Sequence, residues 1–151
     1  MSQGGVNLDH NPLLGPVVTL IGWSLVMLIW MVVTRMPAMK AVGIDLSTRV
    51  GSRPGALDGV VDEKAQWKAH NYIHLMEQPT LFYAIVIVLV LMGDHAKLNL
   101  ALAWGYVGVR IAHSIVQATW NRILVRFILF ALSTLCLIAL TIHAALGLFA
   151  G

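Results

Sequence analysis

The sequence predicts an all-α membrane protein, a four-transmembrane-helix up-down bundle, and three observations predict it. Of 151 residues, 58% are hydrophobic and 11% are charged, whereas soluble domains carry roughly 25% charged residues. The mean hydropathy is +0.79. Four apolar segments, at about 13–34, 72–92, 98–118 and 124–149, each approach the ~20 residues that cross a ~30 Å hydrocarbon core.

The first segment follows thirteen residues without Lys or Arg. A cleaved leader needs a basic start, so this segment is expected to be a retained helix. Residues 35–68 form a polar stretch holding Pro37, Gly43, Gly51 and Gly59. It is expected to be a loop with a short helix. Gly93-Asp94-His95-Ala96-Lys97 is a tight turn, and Ala118-Thr119-Trp120-Asn121-Arg122 is a second short connection. Short connections make neighbouring helices antiparallel, which gives the up-down order. The chain is expected to be one domain, residues 1–151.

The lone Cys136 sits in an apolar run, which excludes an intrachain disulfide and a cysteine metal site. The net charge of +3 does not point to nucleic acid, because the cations are distributed by membrane side. Arg35, Lys40, Arg49, Arg53, Lys64, Lys68, Arg122 and Arg126 flank the first and third connections, and Lys97 alone flanks the second. Cytoplasmic loops carry the excess of Lys and Arg. Both termini are therefore expected on the non-cytoplasmic side. The short second connection and plain apolar composition fit a bacterial inner membrane.

Polar residues intrude where the second span begins. At 100° per residue, His70, Asn71, His74, Glu77 and Gln78 fall within one stripe about 120° wide. On the third helix Tyr106, Arg110, His113, Ser114 and Gln117 share a face. Ionisable groups in a span are costly, so they usually face the protein interior and mark function. Glu77 and Arg110 both lie ~10 Å from the same membrane face at 1.5 Å per residue. They are expected to pair, within a subunit or across an interface, since pairing offsets desolvation. His74 with His113, and Asn71 with Gln117, make two shallower layers. Together the stripes predict a cavity open to the cytoplasm.

Other readings compete at these positions. His70 and His74 have the i, i+4 spacing of a metal chelate, with Glu77 and His113 near. The pattern lacks His-Glu-x-x-His, and no metal is expected. His74 and His113 could also ligate haem, or simply fill a helix interface. Pro79 removes one helix hydrogen bond and can kink the second span. Arg122 and Arg126 open the fourth helix. Both suit positive-inside anchoring, and Arg126, a turn deeper, lines the cavity if it does not snorkel.

In this order the residues resemble the MAPEG family, the membrane-associated proteins of eicosanoid and glutathione metabolism. The resemblance runs from Thr34-Arg35 to the fourth helix. It rests on His74-x-x-Glu77-Gln78-Pro79 with Asn71 a turn earlier, on Arg110-Ile111-Ala112-His113, and on an arginine opening the fourth helix. Arg126 matches that arginine by spacing from Arg110, with Arg122 as the competing candidate. The resemblance implies a homotrimer in membrane lipid with interface sites open to the cytoplasm. It implies a glutathione transferase or peroxidase-like activity on apolar electrophiles. Arg126 or Arg122 would stabilise the thiolate. Arg35, His70, Asn71, His74, Glu77, Arg110, His113 and Gln117 would bind glutathione. A guanidinium beside a thiol of pKa ~8.5 favours the nucleophilic anion. The chain departs from the pattern at His70, where members have arginine, and at His74, where the motif has asparagine. A non-enzymatic lipid- or ligand-binding protein of the same fold is the alternative.

Overall fold

A computed structural model describes residues 11–149 apart from 49, 52 and 54. The first ten residues and Arg49, which entered the leader and charge arguments, lie outside the described residues. Four helices follow one another: α1 (Leu14–Ala41), α2 (Glu63–Leu91), α3 (Lys97–Thr119) and α4 (Ile123–Phe149).

Each helix begins and ends on local chemistry. The Asn11 side chain accepts the Leu13 N–H at 3.0 Å just before α1. Asp62 caps α2 by accepting the Ala65 N–H at 3.1 Å, and Glu63 adds negative charge where the helix dipole is positive. At the far end of α2, Gly93 turns the chain with φ +70°. The Gly93 and Asp94 N–H groups then cap the carbonyls of Val90 and Leu89. An L side chain in that conformation costs roughly 1–2 kcal/mol. Gly93→Ala is therefore expected to lower the melting temperature in detergent. Gly22→Ala, in mid-helix with nothing within 4 Å of its new methyl, is expected to leave it equal or higher.

Two helices are longer than the apolar segments predicted. Helix α1 continues past Thr34 and through Pro37 to Ala41, and α2 starts at Glu63 rather than near 72. The loop is accordingly 42–62. Hydropathy marks where a helix is greasy, not where it stops. The overhangs persist because they bury something: Met39 of α1 packs with Leu57, Val61 and Ala65 in a small second core. Helix α2 likewise runs through Pro79 without interruption.

Three helices, α1, α2 and α4, are long and apolar enough to cross a membrane. Helix α3 has the predicted length but is diluted by its own polar face. It compensates by burial: Asn99, Arg110, His113, Ser114 and Gln117 are all buried. Helix α4 instead leaves most of its apolar surface outward, with Phe127 66% and Leu135 62% exposed. Large apolar exposure of this kind needs lipid or a partner to cover it.

The order in space follows. Helices α2 and α3 form the centre, α1 packs mainly on α2, α4 mainly on α3, and α1 does not touch α4 among the described residues. The central seam is set by Phe82 stacked on Tyr106, centroids 4.3 Å apart and planes 9° from parallel. Asn71 meets Ser114 on the same seam. As residue number rises on α2 it falls on α3, so the two helices run antiparallel as predicted. Leu20, Met27, Val86 and Leu140 complete a dry core around the seam.

Candidate functional site

The α2 stripe is resolved by the fold into a gradient. In angular order it runs Glu77, His70, His74, Gln78, Asn71. The side chains of Glu77 and His70 are 59% and 48% exposed, and that of His74 is 30% exposed. Asn71, at the other edge, is buried. Half the stripe therefore faces α3 and α4, and half faces out of the chain.

The inward half forms three layers. Deepest, the Gln78 amide donates to Thr134 Oγ1 at 2.8 Å, and its oxygen faces the hydroxyls of Tyr106 and Ser133, each at 3.5 Å. In the middle layer Arg110 Nη2 donates to the backbone carbonyl of His74 at 3.0 Å. There the His74 and His113 rings lie 5.3 Å apart, with Phe130 on the other side of His74 at 5.9 Å. In the shallowest layer Asn71 Nδ2 donates to Ser114 Oγ at 2.6 Å. The expected Asn71–Gln117 layer is thus an Asn71–Ser114 bond, and Gln117 is buried beside it with its oxygen unpartnered.

The predicted Glu77–Arg110 pair does not form within the chain. Glu77 lies at the outward edge of the stripe and bonds His74 Nδ1 at 2.8 Å. Arg110 is 1% exposed, and no described carboxylate forms an ion pair with it. Its Nε and Nη1 are buried without a hydrogen-bond partner. A buried charge in that condition is unfavourable until an anion or oxygen acceptor meets it.

A cavity of about 240 Å³ opens beside this cluster, lined by His74, His113, Ile123, Arg126, Phe127 and Phe130. Arg126 thus faces the two histidines, held by a bond from Nη1 to Asn121 Oδ1 at 2.7 Å. Arg122 is exposed and does not line the cavity. His70 sits on a neighbouring cavity of about 320 Å³ with Asp58, Gln66, Trp67 and Asn121, its Nε2 3.3 Å from Asp58. Arg35 lines neither of these cavities. It lines a larger apolar groove at the loop end of α1, with Met36, Met39, Leu46 and Leu57. Among the described residues no group of three His, Cys, Asp or Glu could hold a metal. The His74 and His113 rings lie tilted at 31° with centroids 5.3 Å apart, which leaves no room for a macrocycle between them.

The family model of the MAPEG family matches residues 13–146. The chain belongs to the MAPEG family. Neither the curated proteins nor the solved structures compared with it give a match. This MAPEG protein is therefore an integral membrane protein of a family with glutathione transferase-like and related functions. Its His74-x-x-Glu77-Gln78-Pro79 and Arg110-x-x-His113 segments face each other across the α2–α3 seam.

The resemblance did not single out Gln78, Ser114, Tyr106, Ser133 or Thr134 as site residues, yet they anchor the seam. Gln78, Tyr106 and Ser114 were already on the polar faces of α2 and α3. Ser133 and Thr134 carried no signal, because a hydroxyl in an apolar helix can satisfy itself on a carbonyl one turn back, as both also do here.

Proposed function

We propose that this protein conjugates glutathione to apolar electrophiles, working as a homotrimer with its site facing the cytoplasm. The observation that carries this is two cations on one seam: Arg126 lines a cavity with His74 and His113, and Arg110 is buried against the His74 carbonyl with two nitrogens unpartnered. Such a pair of cations favours a bound anion, and glutathione brings two carboxylates and an ionisable thiol. Arg126 is assigned the thiolate and Arg110 the binding of glutathione, with His74, His113, Asn71 and Gln117 in support. Arg122 is the weaker candidate because it faces away. The thiol proton leaves to water. The thiolate sulfur then bonds to the electrophilic carbon while the leaving group departs with its bonding pair.

A cavity of about 240 Å³ is smaller than the ~300–1,000 Å³ of ordinary small-molecule sites. One chain therefore supplies part of a site. Glu77 and Arg35 point outside that part, as residues of an intersubunit site do. An acid 59% exposed within a span also calls for cover by protein, which a second copy provides.

Purified protein assayed with glutathione and a chlorodinitrobenzene tests the reading, together with melting in glutathione. At one hundred times its Kd, glutathione is expected to stabilise the protein by ~2.7 kcal/mol. Stabilisation without turnover would instead favour the binding-only alternative, consistent with His70 and His74 replacing the usual arginine and asparagine. The absence of both turnover and stabilisation would refute the reading.

A further inference from the structure

We propose that Asn121 is the positioning residue that aims Arg126 at the glutathione sulfur. The inference rests on the assignment of the thiolate to Arg126. The observations that carry it lie in the α3–α4 turn.

Asn121 is the one non-glycine residue with positive φ among the described residues, at +51°. Glycine adopts that conformation at least cost, and asparagine is the side chain that tolerates it best. A turn that needed only its backbone shape would be served by glycine. Here the side chain has a partner: its Oδ1 accepts from Arg126 Nη1 at 2.7 Å. The backbone N–H of the same residue donates to the Val116 carbonyl. One residue thus closes α3 by its main chain and holds an arginine of α4 by its amide.

The restraint matters because of where Arg126 lies. It occupies the first turn of α4, between Ile123 and Phe127, which are 81% and 66% exposed. A long cationic side chain near a span end ordinarily swings out to the headgroups. Nε is buried and unpartnered, and Nη1 is engaged by Asn121. Nη2 is left as the nitrogen free to meet an anion beside His74 and His113. The chemistry of the tether fits as well. A neutral amide orients the guanidinium and leaves its charge intact, whereas a carboxylate at 121 would orient it and cancel much of it.

The test is a pH titration of the ultraviolet thiolate absorbance of glutathione bound to the purified full-length protein. Variants are Asn121→Gly, Asn121→Asp, Arg126→Leu and the double variant Asn121→Gly/Arg126→Leu. Asn121→Gly keeps the turn and is expected to melt at or above the wild-type temperature. Its thiolate fraction at neutral pH should fall by about tenfold, the loss expected of a charge present but misplaced. Asn121→Asp, oriented but neutralised, should also lose thiolate while melting no lower. In the Arg126→Leu background, Asn121→Gly should have no further effect. A wild-type thiolate titration in folded Asn121→Gly overturns the inference and leaves Arg126 in place. An unchanged titration in Arg126→Leu overturns the assignment of Arg126, and the inference with it. An additive double variant shows that Asn121 does not act through Arg126.

Discussion

Arg126→Leu is expected to lower the rate of glutathione conjugation about 10²–10³-fold, the loss typical of removing one preorganised group that stabilises developing or bound negative charge. The arginine lines a cavity with His74, His113 and Phe130 and is partly buried, where a cation acts more strongly than in bulk solvent. Without it the thiol reverts toward a pKa of ~8.5 and little thiolate forms at neutral pH. Turnover should therefore recover as pH rises, because hydroxide restores the thiolate that the guanidinium supplied. The dissociation constant for glutathione should change much less, since Arg110 and its neighbours carry binding. Arg122→Leu is the matched control. Its side chain is exposed and outside the cavity, and its activity should stay within about twofold of wild type, as for surface positions. A reversed ranking would transfer the thiolate role to Arg122.

Arg110→Met is expected to separate stability from function. In the absence of ligand this guanidinium is buried with one hydrogen bond, to the His74 carbonyl, and two unpartnered nitrogens. Replacing a buried, poorly compensated ion with an apolar side chain of similar length is often neutral or stabilising, by about 1–4 kcal/mol. The ligand-free variant should thus melt at or above the wild-type temperature. It should also lose the stabilisation that glutathione gives wild type, because the binding cation has gone. Arg110→Ala is different in kind. It empties a volume between α2 and α3 and should destabilise by roughly 2–5 kcal/mol, as large-to-small core changes do. If Arg110→Met melts lower without ligand, the guanidinium is structural. Its two unpartnered nitrogens would then be satisfied by contacts within the assembly.

How far the sequence carries these expectations differs by element. The four helices were legible because a bilayer demands long apolar runs, and α3 and α4 fall within a residue or so of their expected bounds. The ends of α1 and α2 were not. Met39 and Ala65 extend those helices by packing against Leu57 and Val61, a tertiary contact that hydropathy does not encode. The seam was legible as two polar stripes, and His74 does meet His113. Partner choice within it was not, because a stripe 120° wide spans both an inward and an outward face. A rotation of one side of that stripe away from α3 sends Glu77 outward while Gln78, its chain neighbour, becomes the buried anchor. The roles of Arg122 and Arg126 could not be separated by spacing alone. They are four residues apart, and what distinguishes them is the bond of Arg126 to Asn121 and the exposure of Arg122, neither of which spacing encodes.

On the proposed reading, the pocket between α2, α3 and α4 binds glutathione as a thiolate. The most direct measurement is the ultraviolet difference absorbance on adding glutathione to purified wild-type protein at neutral pH. A saturable thiolate band that is absent in Arg126→Leu is the expected result. No band, together with no change in melting temperature at saturating glutathione, would contradict it.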